Sequence, residues 1–170
     1  RLSIVTTPAT TPADVLVVFG ITGDLARKMT FRSLYRLERR KMLDCPIVGV
    51  ALDDWSEATL HDHARSSIET AGETIDEDVF ARFAQRLSMV SGDFGDASTY
   101  ERVARAIKGK HTPVFYLEIP PSLFGMVVDG LAQGPCHGGA EEGDTDAFDA
   151  AGDDFDDHEV AHRALDLGAV

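Results

Sequence analysis

The stretch VLVVFGITGDLARKM, from Val15 to Met29, decides the fold of this chain. It opens with five apolar residues, three of them valine, a pattern typical of a strand that is buried on both faces. Gly20 then allows a sharp turn because glycine readily adopts a positive φ, and a helix is predicted after Gly23. Strand, glycine turn and helix in direct succession predict the start of a βαβ unit.

The same turn predicts a binding site for the phosphates of a dinucleotide. Gly23 leaves room for a pyrophosphate beside the backbone, and the small Ala26 lets the helix lie close to the sheet. The helix N-terminus offers free N–H groups and a partial positive charge, and Thr22 can add a hydroxyl donor. Glycines in a turn can also serve backbone geometry alone. A second buried strand about 20 residues later favours the nucleotide interpretation, because a βαβ unit requires that strand.

Strands and helices alternate beyond this unit. The predicted strands are 14–20, 46–52, 88–93 and 113–119. Helices are predicted after an N-cap at Ser56, after capping boxes at Thr74 with Glu77 and at Ser98 with Glu101, and over a last apolar face of Phe124, Val127, Val128 and Leu131. This alternation predicts an α/β fold, a partial Rossmann-like doubly wound parallel sheet whose ligand lies at the carboxyl ends of the strands.

Composition and charge divide the chain into three parts. The formal net charge is −13, and residues 134–170 contain 11 acidic residues and one basic residue, so that −10 of this charge belongs to them. We expect a flexible N-terminal arm over 1–13, a Rossmann NAD(P)-binding domain over 14–133, and an acidic low-complexity tail over 134–170 that is disordered because it has no regular apolar period.

Several classes of protein are excluded by the same composition. The acidic balance argues against nucleic-acid binding, and the chain has no run of 18 apolar residues that would predict a membrane span. The N-terminus lacks an apolar signal-peptide core, and Cys45 and Cys136 match no metal-binding spacing. We therefore expect a cytoplasmic protein with two free thiols.

Three motifs in order resemble the N-terminal coenzyme domain of the glucose-6-phosphate dehydrogenase family: VVFGITGDLARKM, IVGVALDDW and FYLEIPPSLF. The resemblance covers about residues 14–133 and implies a domain that binds NADP or NAD. It implies coenzyme contacts from two groups of residues. The phosphate and ribose group is Gly20, Ile21, Thr22, Gly23, Asp24, Leu25, Ala26 and Arg27; the second group is Asp93 and Phe94 beside the adenosine, with Tyr116, Leu117 and Pro120 beside the nicotinamide.

Leu52 departs from the family pattern. Many members carry an arginine at this position, at the end of the second strand, and that arginine binds the 2′-phosphate of NADP. Leucine cannot form such bonds. The neighbouring Asp53 or Asp54 would repel a 2′-phosphate but could accept a hydrogen bond from a free 2′-hydroxyl. The alternatives of NAD use, dual use and a merely solvated Asp-Asp-Trp turn stay open.

Two family segments are missing from the sequence. They are the Glu-Lys-Pro-Phe-Gly segment, whose lysine contacts substrate, and the Arg-Ile-Asp-His-Tyr-Leu-Gly-Lys-Glu segment, which holds the histidine general base. The whole family enzyme transfers hydride from C1 of glucose 6-phosphate to NAD(P) in the pentose phosphate pathway and forms homo-oligomers through its substrate domain. We therefore predict no catalytic residue here, an incomplete chain that is truncated or frame-shifted after about Gln133, and no turnover alone.

Two other functions remain as alternatives: a non-catalytic nucleotide-binding or interaction module with an acidic tail, and a short reductase. The reductase would need a Tyr-x-x-x-Lys pair after the fourth strand, which the sequence lacks.

No metal site is predicted. The acidic stretch from Asp144 fails the EF-hand pattern because Phe148 occupies the third ligand position. His61 and His63 lie on a helix face that is predicted to be exposed, and alternate helix positions do not point together. Glu118, near the expected nicotinamide, is interpreted as a solvated strand end.

Overall fold

The computed structural model describes residues 11–136, and within them four parallel strands form one sheet in the order β3-β2-β1-β4. The strands are β1 (Val15–Phe19), β2 (Ile47–Ala51), β3 (Leu87–Ser91) and β4 (Pro113–Leu117). The helices are a π-helical turn (Ala26–Thr30) that continues into α1 (Phe31–Arg39), then α2 (Glu57–Thr70), α3 (Glu77–Arg86), α4 (Ala97–Ala106), a short 3₁₀ turn (Pro121–Leu123) and α5 (Phe124–Gln133). The predicted Rossmann-like α/β fold is confirmed.

Helices cover both faces of the sheet, and each face has its own core. One core packs α1, α2 and α3 against alternate strand residues such as Val18 and Ile47. The other packs α4 and α5 against Val17 and Val48. The order of the strands reverses between β1 and β4, which places the switch point of the winding, the usual position of a ligand, at the carboxyl ends of these two strands.

The predicted helix starts were right at one position and wrong at two. Ser56 caps α2 and accepts a hydrogen bond from the Thr59 N–H at 3.1 Å. The predicted capping boxes at Thr74 and Ser98 do not form, because α3 begins three residues after Thr74 and α4 begins before Ser98, so that an aspartate takes each cap position. Asp76 caps α3 and Asp96 caps α4, and a short carboxylate at the N-cap reaches the first free N–H groups directly.

The last helix differs from its prediction in the face that it buries. Of the predicted apolar face, only Val127 is fully buried, whereas Phe124 and Val128 are exposed. The reason is its position: β4 is the outer strand of the described sheet, and α5 lies against α4, where Gly130 leaves space for the Tyr100 ring.

The ends of the chain lie partly outside the described residues. The predicted arm over 1–13 is described only from residue 11, and the predicted disordered tail over 134–170 only to residue 136. The buried Cys136 packs against Tyr100, three positions beyond the predicted end of the domain. Both cysteines are free, as expected, and both are buried. Across residues 11–136, every helix is too short or too polar to span a membrane.

Candidate dinucleotide-binding site

Gly20 forms the tightest point of the turn after β1. Its φ is +85°, a conformation that L side chains rarely adopt, and its N–H donates to the Val50 carbonyl at 2.7 Å. A Cβ here would overlap the carbonyl oxygen of Glu118 and lie 3.0 Å from Ile119 Cγ2. Only glycine therefore fits between the ends of β1 and β4.

Gly23 closes the turn and starts the helix. Its N–H donates to the Gly20 carbonyl at 2.8 Å, and its own carbonyl accepts from the Arg27 N–H at 3.1 Å, which is the first helical bond. The N–H groups before Arg27 therefore lie in the first turn, where a helix has no internal partners for them. They lie at the switch point of the sheet, as a site for a pyrophosphate requires.

The predicted phosphate and ribose residues divide into buried and exposed side chains. Ile21 and Ala26 are completely buried, and Ile21 packs over Gly49, where a Cβ would lie 2.6 Å from Ile21 Cγ2. Ile21 and Ala26 can therefore offer a ligand only their backbone. Leu25 and Arg27 are exposed and free to contact a bound molecule.

Asp24 forms an exposed ion pair with Lys28, one turn further along the helix. The hydrogen bond and charge of Lys28 lower the pKa of the Asp24 carboxyl. A carboxylate in the first turn also interacts favourably with the helix dipole. Lys28 is thus already paired, whereas Arg27 is exposed and forms no ion pair among the described residues.

The end of β2 meets the glycine turn through a side-chain contact. The Thr22 hydroxyl donates to Asp53 Oδ2 at 2.6 Å, although the two residues are 31 positions apart. Leu52, beside Asp53, leaves 69% of its surface exposed. Thr22, which the sequence assigned to the coenzyme, therefore meets Asp53, one of two alternative ribose acceptors, at the carboxyl ends of β1 and β2.

His63 lies close enough to Arg27 and Asp53 for their charges to act on its pKa, and the prediction of an exposed helix face was wrong for it. His63 is half-buried, its ring lies 4.8 Å from the Trp55 ring and 5.7 Å from the Phe31 ring, and its Nε2 is buried without a partner among the described residues. Burial lowers the pKa of His63, and the charge of Arg27 acts in the same direction, so the ring is neutral near pH 7.

The loop after β3 is held against α4. The Asp93 carboxylate is exposed and accepts from the Gly95 N–H at 2.7 Å, and the Tyr100 hydroxyl donates to the Phe94 carbonyl at 2.6 Å. The Phe94 ring packs edge-on against Phe19 with 5.6 Å between the ring centres. Phe94 therefore contributes to the core on this face, while Asp93 remains open to a ligand.

The end of β4 holds the three residues that are predicted to lie beside the nicotinamide. Tyr116 and Pro120 are exposed, and Leu117 is half-buried against the core that includes α4 and α5. Tyr116 and Leu117 point to opposite faces of the sheet, so they cannot contact one side of a ligand together.

Glu118 was wrongly interpreted as a solvated strand end. It is only 7% exposed, and the Thr30 hydroxyl donates to its Oε1, while Oε2 is buried without a partner among the described residues. Burial raises the pKa of Glu118. Strand alternation places Glu118 on the same face as the exposed Val114 and Tyr116, so the local pattern contained no signal for its burial.

The comparisons with known proteins agree with this geometry. The family model described as "Glucose-6-phosphate dehydrogenase, NAD binding domain" matches residues 17–145. Glucose-6-phosphate 1-dehydrogenase 1 of Mycobacterium tuberculosis (strain ATCC 25618 / H37Rv) is 55% identical over 120 residues, which cover 71% of this chain and 26% of that protein. The glucose-6-phosphate 1-dehydrogenase of Dickeya dadantii is 31% identical over 129 residues, covering 74% of this chain and 26% of that protein.

Solved structures show the same relationship. The crystal structure of glucose-6-phosphate 1-dehydrogenase from Mycobacterium avium is 56% identical with a TM-score of 0.68, and the match covers 71% of this chain and 27% of that one. A glucose-6-phosphate dehydrogenase in complex with its substrate glucose-6-phosphate is 27% identical with a TM-score of 0.63, covering 71% and 28%. The chain thus spans about a quarter of the length of these relatives. The resemblance that the three motifs indicated is confirmed: the chain belongs to the glucose-6-phosphate dehydrogenase family, and the part that it matches is the NAD(P)-binding domain of that family.

Proposed function

We propose that this chain binds a nicotinamide dinucleotide across the glycine turn, as the coenzyme-binding part of a glucose-6-phosphate 1-dehydrogenase. The observation that carries the proposal is the turn from Gly20 to Gly23, which brings the free N–H groups of a helix to the switch point of the sheet. The exposed Arg27 adds a cation for the phosphates.

We propose further that the end of β2 selects NAD or accepts both coenzymes. Asp53 is held at the turn by Thr22 and can accept from a ribose 2′-hydroxyl, whereas its charge opposes a 2′-phosphate. The exposed Leu52 offers a phosphate no donor. The binding pose follows the proposed residue assignments: the adenosine near Asp93, and the nicotinamide near Tyr116.

Isothermal titration of the full 170-residue chain with NAD and with NADP tests both statements. Binding of either dinucleotide supports the site, and an NADP affinity far above that for NAD would refute the preference. Leu52→Arg should raise NADP affinity about tenfold or more, because a charge-assisted bond contributes about 1.5–3 kcal/mol and 1.4 kcal/mol is a factor of ten. Leu52→Gln, polar but uncharged, is the matched control, and its ratio of NADP affinity to NAD affinity should stay near that of the native chain.

The reaction of the full-length family is also part of the proposal. It is the oxidation of C1 of glucose 6-phosphate with hydride transfer to the coenzyme, in the cytoplasm. We expect these 170 residues to bind coenzyme without turnover, because the lysine and histidine segments that the reaction needs do not occur in the sequence. Robust reduction of NAD or NADP that depends on glucose 6-phosphate, in an assay of the purified chain, would contradict this expectation.

The interaction-module alternative makes a different prediction for the same titrations. A module that serves a protein partner would bind neither NAD nor NADP measurably. The geometry of the glycine turn favours the coenzyme proposal over it, because the turn places the free N–H groups of the helix at the switch point, where ligands usually bind in this fold.

A further inference from the structure

Glu118 continues β4 by one residue and packs directly on the glycine turn. Its N–H donates to the Phe19 carbonyl at 2.9 Å, so the ladder between β1 and β4 extends to it. Its carbonyl oxygen occupies the space where a side chain at Gly20 would begin. The backbone of Glu118 thus packs directly against Gly20 and leaves no space for a side chain there.

The side chain of Glu118 contacts the far end of the π-helical turn that follows the glycine turn. Its Oε1 accepts a hydrogen bond from the hydroxyl of Thr30, the last residue of the π-helical turn. Thr30 is 9% exposed and Glu118 is 7% exposed, so the bond lies in the interior. The residue directly after β4 therefore contacts both Gly20 and Thr30, which lie on either side of the residues that are proposed to hold the coenzyme phosphates.

The contact is costly for folding stability. Burial raises the pKa of Glu118, and its second oxygen, Oε2, has no hydrogen-bond partner among the described residues. A buried polar atom without a partner destabilises the folded state, and an apolar side chain of similar volume is often at least as stable. The π-helical turn beside it is also an uncommon structure, and such turns are frequent at functional sites.

We propose that Glu118 is a positioning residue for coenzyme binding: through Thr30 and Gly20 it sets the position of the helix N-terminus relative to the end of β4. The N–H groups of the first turn then point at the space in front of the switch point. Without the hydrogen bond between Thr30 and Glu118, the π-helical turn can shift relative to Gly20. A small displacement of the N–H donors weakens their binding to a phosphate. This inference rests on the proposed coenzyme function.

The test measures dinucleotide affinity and urea unfolding for four variants of the full chain. Glu118→Gln keeps an acceptor for Thr30, and Glu118→Leu removes it at similar volume. Thr30→Ser keeps the hydroxyl, and Thr30→Val removes it at nearly the same shape. We expect Glu118→Leu and Thr30→Val to bind about tenfold more weakly, the equivalent of one hydrogen bond. Glu118→Gln and Thr30→Ser should stay within about twofold of the native chain, an effect well below that of one bond.

The outcomes separate this inference from the proposed function. A native chain that binds neither NAD nor NADP overturns both. A native chain that binds, with Glu118→Leu and Thr30→Val binding equally well, overturns the inference alone. An equal loss of dinucleotide affinity in Glu118→Gln and Glu118→Leu also overturns it, because the hydrogen bond to Thr30 that Glu118→Gln keeps would then make no difference to binding. If Glu118→Leu does not fold, the comparison of Thr30→Val with Thr30→Ser decides the question.

Discussion

Replacing Gly20 by alanine tests the geometry on which the proposed coenzyme site depends. The native φ of +85° costs an L residue about 1–2 kcal/mol. The new Cβ would also overlap the Glu118 carbonyl oxygen, which is backbone and cannot rotate away, and forcing such an overlap costs about 1–3 kcal/mol. We expect Gly20→Ala to lose about 2–5 kcal/mol of unfolding free energy, a large share of the 5–15 kcal/mol that is usual for a domain.

The chain contains matched controls for this variant. Gly72 and Gly109 have φ values of +83° and +81°, but nothing lies within 4 Å of a Cβ at either position. Alanine there should cost only the conformational part, about 1–2 kcal/mol. Urea unfolding, followed by the fluorescence of the single tryptophan, Trp55, measures all three variants.

The difference between Gly20→Ala and the two controls is the cost of the steric overlap. If the unfolding free energy of Gly20→Ala is no lower than that of Gly72→Ala, the conclusion that the end of β4 packs tightly against the turn is wrong. Where the Gly20 variant still folds, its affinity for NAD or NADP should fall, because relief of the overlap moves the turn away from β4. Unchanged affinity would contradict the placement of the coenzyme phosphates at this turn.

Three further predictions concern the surrounding fold, and urea unfolding measures each of them. Gly49→Ala should lose about 1–3 kcal/mol because its Cβ would lie 2.6 Å from Ile21 Cγ2, whereas Gly125→Ala, in an open helical position, should gain up to about 1 kcal/mol. Asp76→Ala should lose about 0.5–2 kcal/mol through loss of the α3 cap; no loss would contradict the cap. His63 has a pKa below its ordinary 6.5, so the folded chain binds fewer protons than the unfolded chain just below that pH. Its contribution to stability is present above pH 6.5 and is lost as the pH falls, and His63→Phe should show a smaller loss between pH 7.5 and 5.5.

The candidate coenzyme site could be predicted in the parts where its determinants are local. The run from Val15 to Phe19 and the glycines after it specify a buried strand and a sharp turn through residues that are adjacent in sequence. Ser56 could be recognised as a cap for the same reason. Even local signals competed, however: Asp76 displaced Thr74 as the cap of α3, because several residues that can cap a helix stand within one turn of each other.

The features that were missed depend on residues far apart in sequence. Thr22 and Asp53 are 31 positions apart, and Thr30 and Glu118 are 88 positions apart. The alternation of residues along one strand does not show which strands lie beside it. The burial of Glu118 could therefore not be predicted from the residues next to it in sequence. The exposure of Val128 has the same origin, since it depends on β4 being the outer strand of the described sheet.

The sequence by itself determined the family, the βαβ start and the glycine turn, because strand period, helix start and glycine conformation are properties of short segments. Only the tertiary structure decided what surrounds that turn. The strand order placed β4 against Gly20, brought Glu118 under the π-helical turn and joined Asp53 to Thr22. Those contacts follow from the packing of the whole sheet. Neighbouring strands of a parallel sheet are connected by long crossovers, so residues that meet at their ends are far apart in sequence.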